Sequence, residues 1–135
     1  MNNRSFLREV IIKVLYQTYV YDNAKIAYDL DELIKEQLEI ASDFVTTTIK
    51  EIKANQEELD SYANKYLKDW SIDRLSKVDK AIFSLAIYEM LKTETPDIVV
   101  INEAIELSKK YSDEKVVKML NATLDKIYHH EVLHE

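Results

Sequence analysis

This chain of 135 residues contains no glycine and a single proline, Pro96. Glycine enters left-handed backbone without steric cost, and proline presets many tight turns. A chain almost without both has few means of reversing sharply, so hairpin-rich β architecture and phosphate-cradling glycine loops lose their usual residues. Helices need neither. Ile, Lys, Asn and Tyr are abundant, which an AT-rich coding sequence would also produce, but the predicted fold class stays all-α.

Hydrophobic spacing divides the chain into helical stretches. Over about 5 to 21, Leu7, Val10, Ile11, Val14, Thr18 and Tyr21 share one face. Arg8, Ile12, Tyr16 and Tyr19 form a second stripe roughly opposite, where a surface helix would be polar. That stripe implies either burial on both sides or a docking surface. An acid-rich helix is predicted over 24 to 40, with Ile26, Leu30, Leu33, Ile34 and Leu38 inward. Another runs from a cap at Ser42 or Asp43 through to Tyr66. Trp70 falls in a short connection. Ser76 and Asp79 read as a capping box opening a helix over 76 to 92 that is apolar on nearly every side, the expected centre of the bundle. After Pro96 come helices over about 100 to 111 and from a cap at Ser112 onward. The expectation is a single-domain compact bundle of about six or seven helices over residues 1–135.

Composition fits this reading. With 47% hydrophobic and 32% charged residues, the chain reads as globular rather than disordered. No apolar run approaches the ~18 residues of a membrane span, and no signal peptide opens the sequence. There is no cysteine, which excludes disulfides and thiolate metal sites. A cytoplasmic address, without membrane contact, is expected.

The net charge of −7 is unevenly spread. Residues 1–20 carry +2, residues 21–60 carry −7, and residues 61–135 carry −2. Acidity is concentrated in the middle block, and binding to phosphate depends on the local patch more than the total. Arg4, Arg8 and Lys13 form a small basic patch on the first helix. Arginine pairs with phosphate in a forked geometry, and Tyr16 and Tyr19 could stack on unpaired bases. Ordinary exposed charge explains the same residues.

Catalytic motifs are scarce. His130-Glu131-Val132-Leu133-His134 matches H-E-x-x-H, in which two histidines one helical turn apart share a zinc ion. A third protein ligand is needed, and the sequence ends one residue after His134; a chance match is the simpler reading. Neighbouring acids such as Asp31 with Glu32, or Glu57 with Glu58, do not face each other on a helix. Glu89 lies at the centre of the apolar face of Val78, Ile82 and Leu85, and a buried carboxylate there would need partners. Asn102-Glu103 reads as a helix opening. Neither catalysis nor a cofactor is expected.

One stretch carries more. Asp79-Lys80-Ala81-Ile82, Leu85-Ala86, Tyr88-Glu89-Met90-Leu91, Pro96, Val100-Ile101-Asn102-Glu103-Ala104-Ile105-Glu106-Leu107 and Asn121-Ala122-Thr123-Leu124-Asp125 stand in ungapped order. This resembles the NusB family of bacterial transcription antitermination factors, whose pattern runs D-x-A-I-x-x-L-A-x-Y-E-x-L, P, V-x-I-N-E-A-x-E-L, N-G-x-L-D. The likeness is close over 75–128 and looser over the first helix. There the family shows R-R-x-x-R-x-x-A-x-x-x-L-Y, Leu15-Tyr16 fits the ending, Arg4 and Arg8 match two arginines, and Ser5 replaces one.

The resemblance implies an antitermination factor that binds boxA-type single-stranded RNA of ribosomal RNA leaders. It implies binding together with NusE, a ribosomal protein, within the elongation complex of RNA polymerase. Carried over residue by residue, Arg4, Arg8, Tyr16, Lys115, Lys118 and Met119 are the RNA-binding candidates. Arg74, Asp79 and Phe83 are the candidates for NusE docking. Met119 stands where the family commonly has Phe, and Ala122 replaces the usual Gly. The alternative is a NusB-like docking module that has lost sequence-specific RNA binding. The same fold also opens ribosomal RNA cytosine methyltransferases, but those need a large glycine-containing cofactor domain. The oligomeric state, a homodimer included, stays open.

Overall fold

Asn3, Asp29, Ser42, Ser76 and Asp113 each turn a side-chain oxygen onto the first free N–H groups of a helix, at 2.8–3.3 Å. Each such cap contributes about 1 kcal/mol relative to alanine. The computed structural model describes residues 3–133 and contains seven α-helices there. They are α1 (Arg4–Ala24), α2 (Leu30–Gln37), α3 (Asp43–Ala54), α4 (Gln56–Tyr66), α5 (Lys77–Lys92), α6 (Asp97–Tyr111) and α7 (Glu114–Ile127). A short 3₁₀ turn (Ile72–Arg74) precedes α5, and a π-helical turn (Tyr128–Val132) extends α7. The all-α bundle expected from the missing glycine is what forms.

Several boundaries differ from the sequence reading. α1 continues to Ala24 and closes at Lys25, which adopts φ 58 and returns its N–H to the carbonyls of Tyr21 and Asp22. This left-handed position is one glycine would normally fill. The expected helix over 24 to 40 therefore shrinks to α2, restarted by Asp29. The predicted long third helix breaks at Asn55. Its side-chain amide donates to Glu51 O at 2.8 Å and its N–H reaches both Glu51 O and Ile52 O. A short polar side chain thus competes with the helical ladder. α6 starts directly after Pro96 rather than near 100, because a proline preceding the first turn forfeits no helical bond. Asp113, not Ser112, caps α7; the Ser112 hydroxyl donates instead to Asp79.

α5 is the axis of the fold. Every residue from Ala81 to Met90 is buried, and the helix packs against α1, α3, α4, α6 and α7. Ala81, Ser84 and Ala86 are small, which lets neighbouring helices approach, while Ile82, Phe83 and Ile87 fill the gaps. α1 lies alongside and is buried on both faces, with Ile11, Ile12, Val14 and Leu15 all inaccessible. That settles the second stripe of α1: Arg8, Ile12 and Tyr19 are interior, and only Tyr16 reaches solvent. Tyr19 donates to Gln56 Oε1 at 2.7 Å, and Gln56 donates to Ser84 Oγ at 3.0 Å, linking α1, α4 and α5.

Burial first, and a carboxylate neighbour second, push the Tyr88 phenol, bonded to Glu51, and the Tyr111 phenol, bonded to Glu9, up to about 12. The unfolded chain ionises its tyrosines near 10. The stabilisation is therefore complete below about pH 10 and is lost as pH rises through about 12. The urea midpoint should fall between about pH 9 and pH 11.5, and Tyr88→Phe should lessen that fall.

Candidate nucleic-acid interface

Arg8 sits inside the bundle. Its Nε donates to Glu89 Oε1 at 2.7 Å and a terminal nitrogen donates to Glu89 Oε2 at 2.9 Å, a forked pair. The other terminal nitrogen donates to Glu103 Oε1 at 2.8 Å, and Ser5 Oγ donates to the same oxygen at 2.6 Å. Arg8 is 5% exposed and Glu89 2%. Burial acts most strongly on Arg8 and alone would lower its pKa. The bonds and charges of Glu89 and Glu103 together outweigh it and leave the pKa raised. The arginine is therefore a fixed interior cation, and the expectation that it contacts phosphate is corrected. The same geometry corrects Asn102-Glu103: Glu103 lies within α6 and holds Arg8 rather than opening a helix.

The other RNA-binding candidates lie at or near the surface. Arg4 is exposed, with its guanidinium 3.8 Å from the centroid of the Phe44 ring, which pins the start of α1 to α3. Tyr16 is 44% exposed and lines a groove of ≈ 460 Å³ with Ile12, Lys13, Gln17, Val78 and Tyr111. Within the described residues Gln17 Oε1 is buried without a partner. Lys13 stands exposed on the rim. Lys115 and Lys118 are exposed on the first turns of α7, while Met119 is half-buried and packs against the core. Lys118 is loosely paired with Glu114 at 3.8 Å, an exposed contact of small energetic consequence.

The docking candidates separate. Arg74 is exposed. Asp79 is buried and accepts from the Ser112 hydroxyl, so it ties the α6–α7 turn to the start of α5. Its backbone N–H is capped by Ser76 at 3.1 Å, but its carboxylate does not return the bond, so the capping box is one-sided. Phe83 is 1% exposed and belongs to the core, which corrects its expected part in docking: on a helix apolar all round it has no path to solvent.

Arg74 and Lys115, drawn from the two candidate sets, meet at Trp70. Their charged groups lie 5.9 and 5.5 Å from its ring. Sequence reading gave Trp70 no role. The signal was a lone tryptophan in a polar segment flanked by Lys68 and Arg74.

In the C-terminal π-helical turn, Glu131 accepts from Lys65 Nζ at 2.9 Å and from the Tyr66 hydroxyl. His130 stacks on Tyr66 with ring centroids 5.6 Å apart. This H-E-x-x-H carboxylate thus fastens the tail to α4; His134 lies outside the described residues. Among the described residues no three His, Asp or Glu side chains are grouped to hold a metal ion.

Comparison with known proteins gives these observations a frame. The model of the NusB family matches residues 6–129. The chain is similar to the transcription antitermination protein NusB of Clostridium tetani (strain Massachusetts / E88), 44% identical over 100 residues, or 73% of this chain and 65% of that protein. It is 38% identical to the protein of the same name from Clostridium botulinum (strain Kyoto / Type A2), covering 93% of this chain and 99% of the other. Among solved structures, T. maritima NusB superposes with a TM-score of 0.82 at 33% identity, covering 95% of this chain and 92% of that one. The structure of antitermination factors NusB and NusE in complex with dsRNA gives 0.76 at 30% identity, covering 94% and 96%.

Breaking the interior ion pair should be costly. Arg8→Ala leaves two carboxylates without their cation and should lower unfolding free energy by about 3–5 kcal/mol. Tyr16→Ala, at an exposed position, should change it by less than about 1 kcal/mol. Urea denaturation of the two variants checks the contrast.

Proposed function

The chain belongs to the NusB family, and from that membership we propose that it is a non-catalytic transcription antitermination factor. It binds boxA-type single-stranded RNA of ribosomal RNA leaders together with NusE, and so keeps RNA polymerase elongating. The observation behind this reading is the open groove at Tyr16, with Lys13 on its rim, in a fold shared with a NusB held in a complex with NusE and dsRNA. Tyr16 supplies a face for an unpaired base. Arg4, Lys115 and Lys118 neutralise phosphates along the path, and Met119 backs α7 from within. NusE docks near the start of α5, where Asp79 fixes the adjoining turn.

A second reading has one observation in its favour. With Arg8 consumed by Glu89 and Glu103, Arg4 is the remaining arginine of α1 able to face phosphate. The chain would then be a NusE-docking module without sequence-specific RNA binding.

Fluorescence anisotropy of labelled boxA RNA against a scrambled RNA, with and without NusE, separates the two. The first reading expects boxA to bind more tightly than the scrambled sequence, and NusE to strengthen it. Three phosphate contacts on a single strand predict a slope of roughly −2 in log K against log salt. Lys115→Gln should reduce that slope by somewhat less than one. Equal binding of both RNAs alongside intact NusE binding would select the second reading.

A further inference from the structure

α4 ends at Tyr66, and the chain reaches the 3₁₀ turn through Leu67-Lys68-Asp69-Trp70-Ser71. Both ends of this connection are anchored. Leu67 is buried, and Ile72 is buried with its N–H donating to Asn64 Oδ1 at 2.7 Å. Between the anchors Asp69 adopts φ 65, left-handed backbone that Asp tolerates better than most residues. The next residue, Trp70, is left 38% exposed. A large aromatic is thus held at the surface by a turn that two interior residues fix in place.

The charges around it are as informative. Arg74 approaches from the 3₁₀ turn and Lys115 from the first turn of α7. Among the described residues neither forms an ion pair, a state they share with Arg4, Lys13, Lys25, Lys68, Lys77 and Lys126, whereas Lys53 and Lys92 are paired. An indole with two cations set over it and no acidic partner for either suits a nucleotide, the base taking the ring in place of one cation and the phosphate held by the cations. A basic protein would meet like charge here. The patch is linked to the Tyr16 groove through the chain. Val78 and Tyr111 line that groove, and Arg74 and Lys115 each lie four residues away in sequence, across the Asp79–Ser112 bond.

We propose that Trp70, Arg74 and Lys115 form a second stacking station for single-stranded RNA, taking a nucleotide of the strand whose neighbouring part lies in the Tyr16 groove. The proposal rests on the RNA-binding reading and extends its path to the connection between α4 and α5.

Trp70 is the chain's single tryptophan, so its emission reports on this station alone. The experiment titrates end-labelled boxA RNA, following label anisotropy and tryptophan emission together, with NusE alone as a separate arm. The expected result is quenching along the same isotherm as the anisotropy. Trp70→Leu should weaken RNA binding on the order of ten-fold, the worth of one stacked base. Trp70→Phe, which keeps a stacking face, should recover part of the loss, and Lys115→Gln should weaken binding without disturbing the turn. Circular dichroism shows that the variants are folded. If RNA binds with no change in emission, and Trp70→Leu binds as the parent does, the station does not exist. Emission that responds to NusE but not to RNA would assign Trp70 to protein docking and overturn the proposal. Failure of the anisotropy to rise at all would instead remove the RNA-binding reading, and this proposal with it.

Discussion

The fork of Arg8 on Glu89, closed by Glu103, is the constraint from which the rest of the arrangement follows. α1 and α5 are apolar on nearly all sides, and two such helices could slide or rotate against each other with little loss of burial. A charged pair in the seam removes that freedom, because any register but one leaves a buried charge uncompensated. Fixing Arg8 fixes Tyr16, eight residues on and about 12 Å along the same helix. The groove that Tyr16 lines also takes walls from α5 and α6, through Val78 and Tyr111. Glu89 and Glu103 lie on those same two helices, so one interaction sets both the floor and the walls of the site.

The fold was largely legible in the residues. Absence of glycine pointed to helices, the all-round apolar pattern of 76 to 92 pointed to the central element, and the structure bears out both. Breaks were less legible. Asn55 and Lys25 interrupt helical pattern through backbone conformations that propensity alone does not select. In the site, the basic patch of α1 and the family's arginine stretch both point to Arg8 as a phosphate contact. Its partners are 81 and 95 residues away, beyond the reach of local reasoning. Two signs were nevertheless present: a carboxylate at the centre of an apolar face, and a cation on an otherwise apolar stripe. Each lacked a partner in its own helix, and the pair answers both. Phe83 was misplaced for the opposite reason, since its helix had already been read as wholly buried.

For a chain of net charge −7 to bind a polyanion, its charges must be sorted. The structure sorts them by pairing. Three of the four lysines in the acidic middle are engaged, Lys35 with Glu32, Lys50 with Asp31 and Lys53 with Asp22, and Lys92 pairs with Glu58. Each pair contributes little to stability, but it silences one cation and one anion at short range. Near the start of α7 and the turn before α5, Lys115 and Arg74 are left without acidic partners among the described residues. The field that a phosphate would meet there depends on such local groups more than on the total.

The seam between α1 and α5 also has a consequence in time. Of the seven helices described, α1 leaves the ribosome before the others, and the groups that neutralise Arg8 are made 81 and 95 residues later. Until Glu89 and Glu103 emerge, Ile11, Ile12, Val14 and Leu15 have no complete surface to cover them. Contacts of such separation form slowly because a long loop must close before they are rewarded. The nascent chain therefore carries the apolar faces of α1 uncovered until α5 and α6 emerge, and closure of the bundle waits for α6.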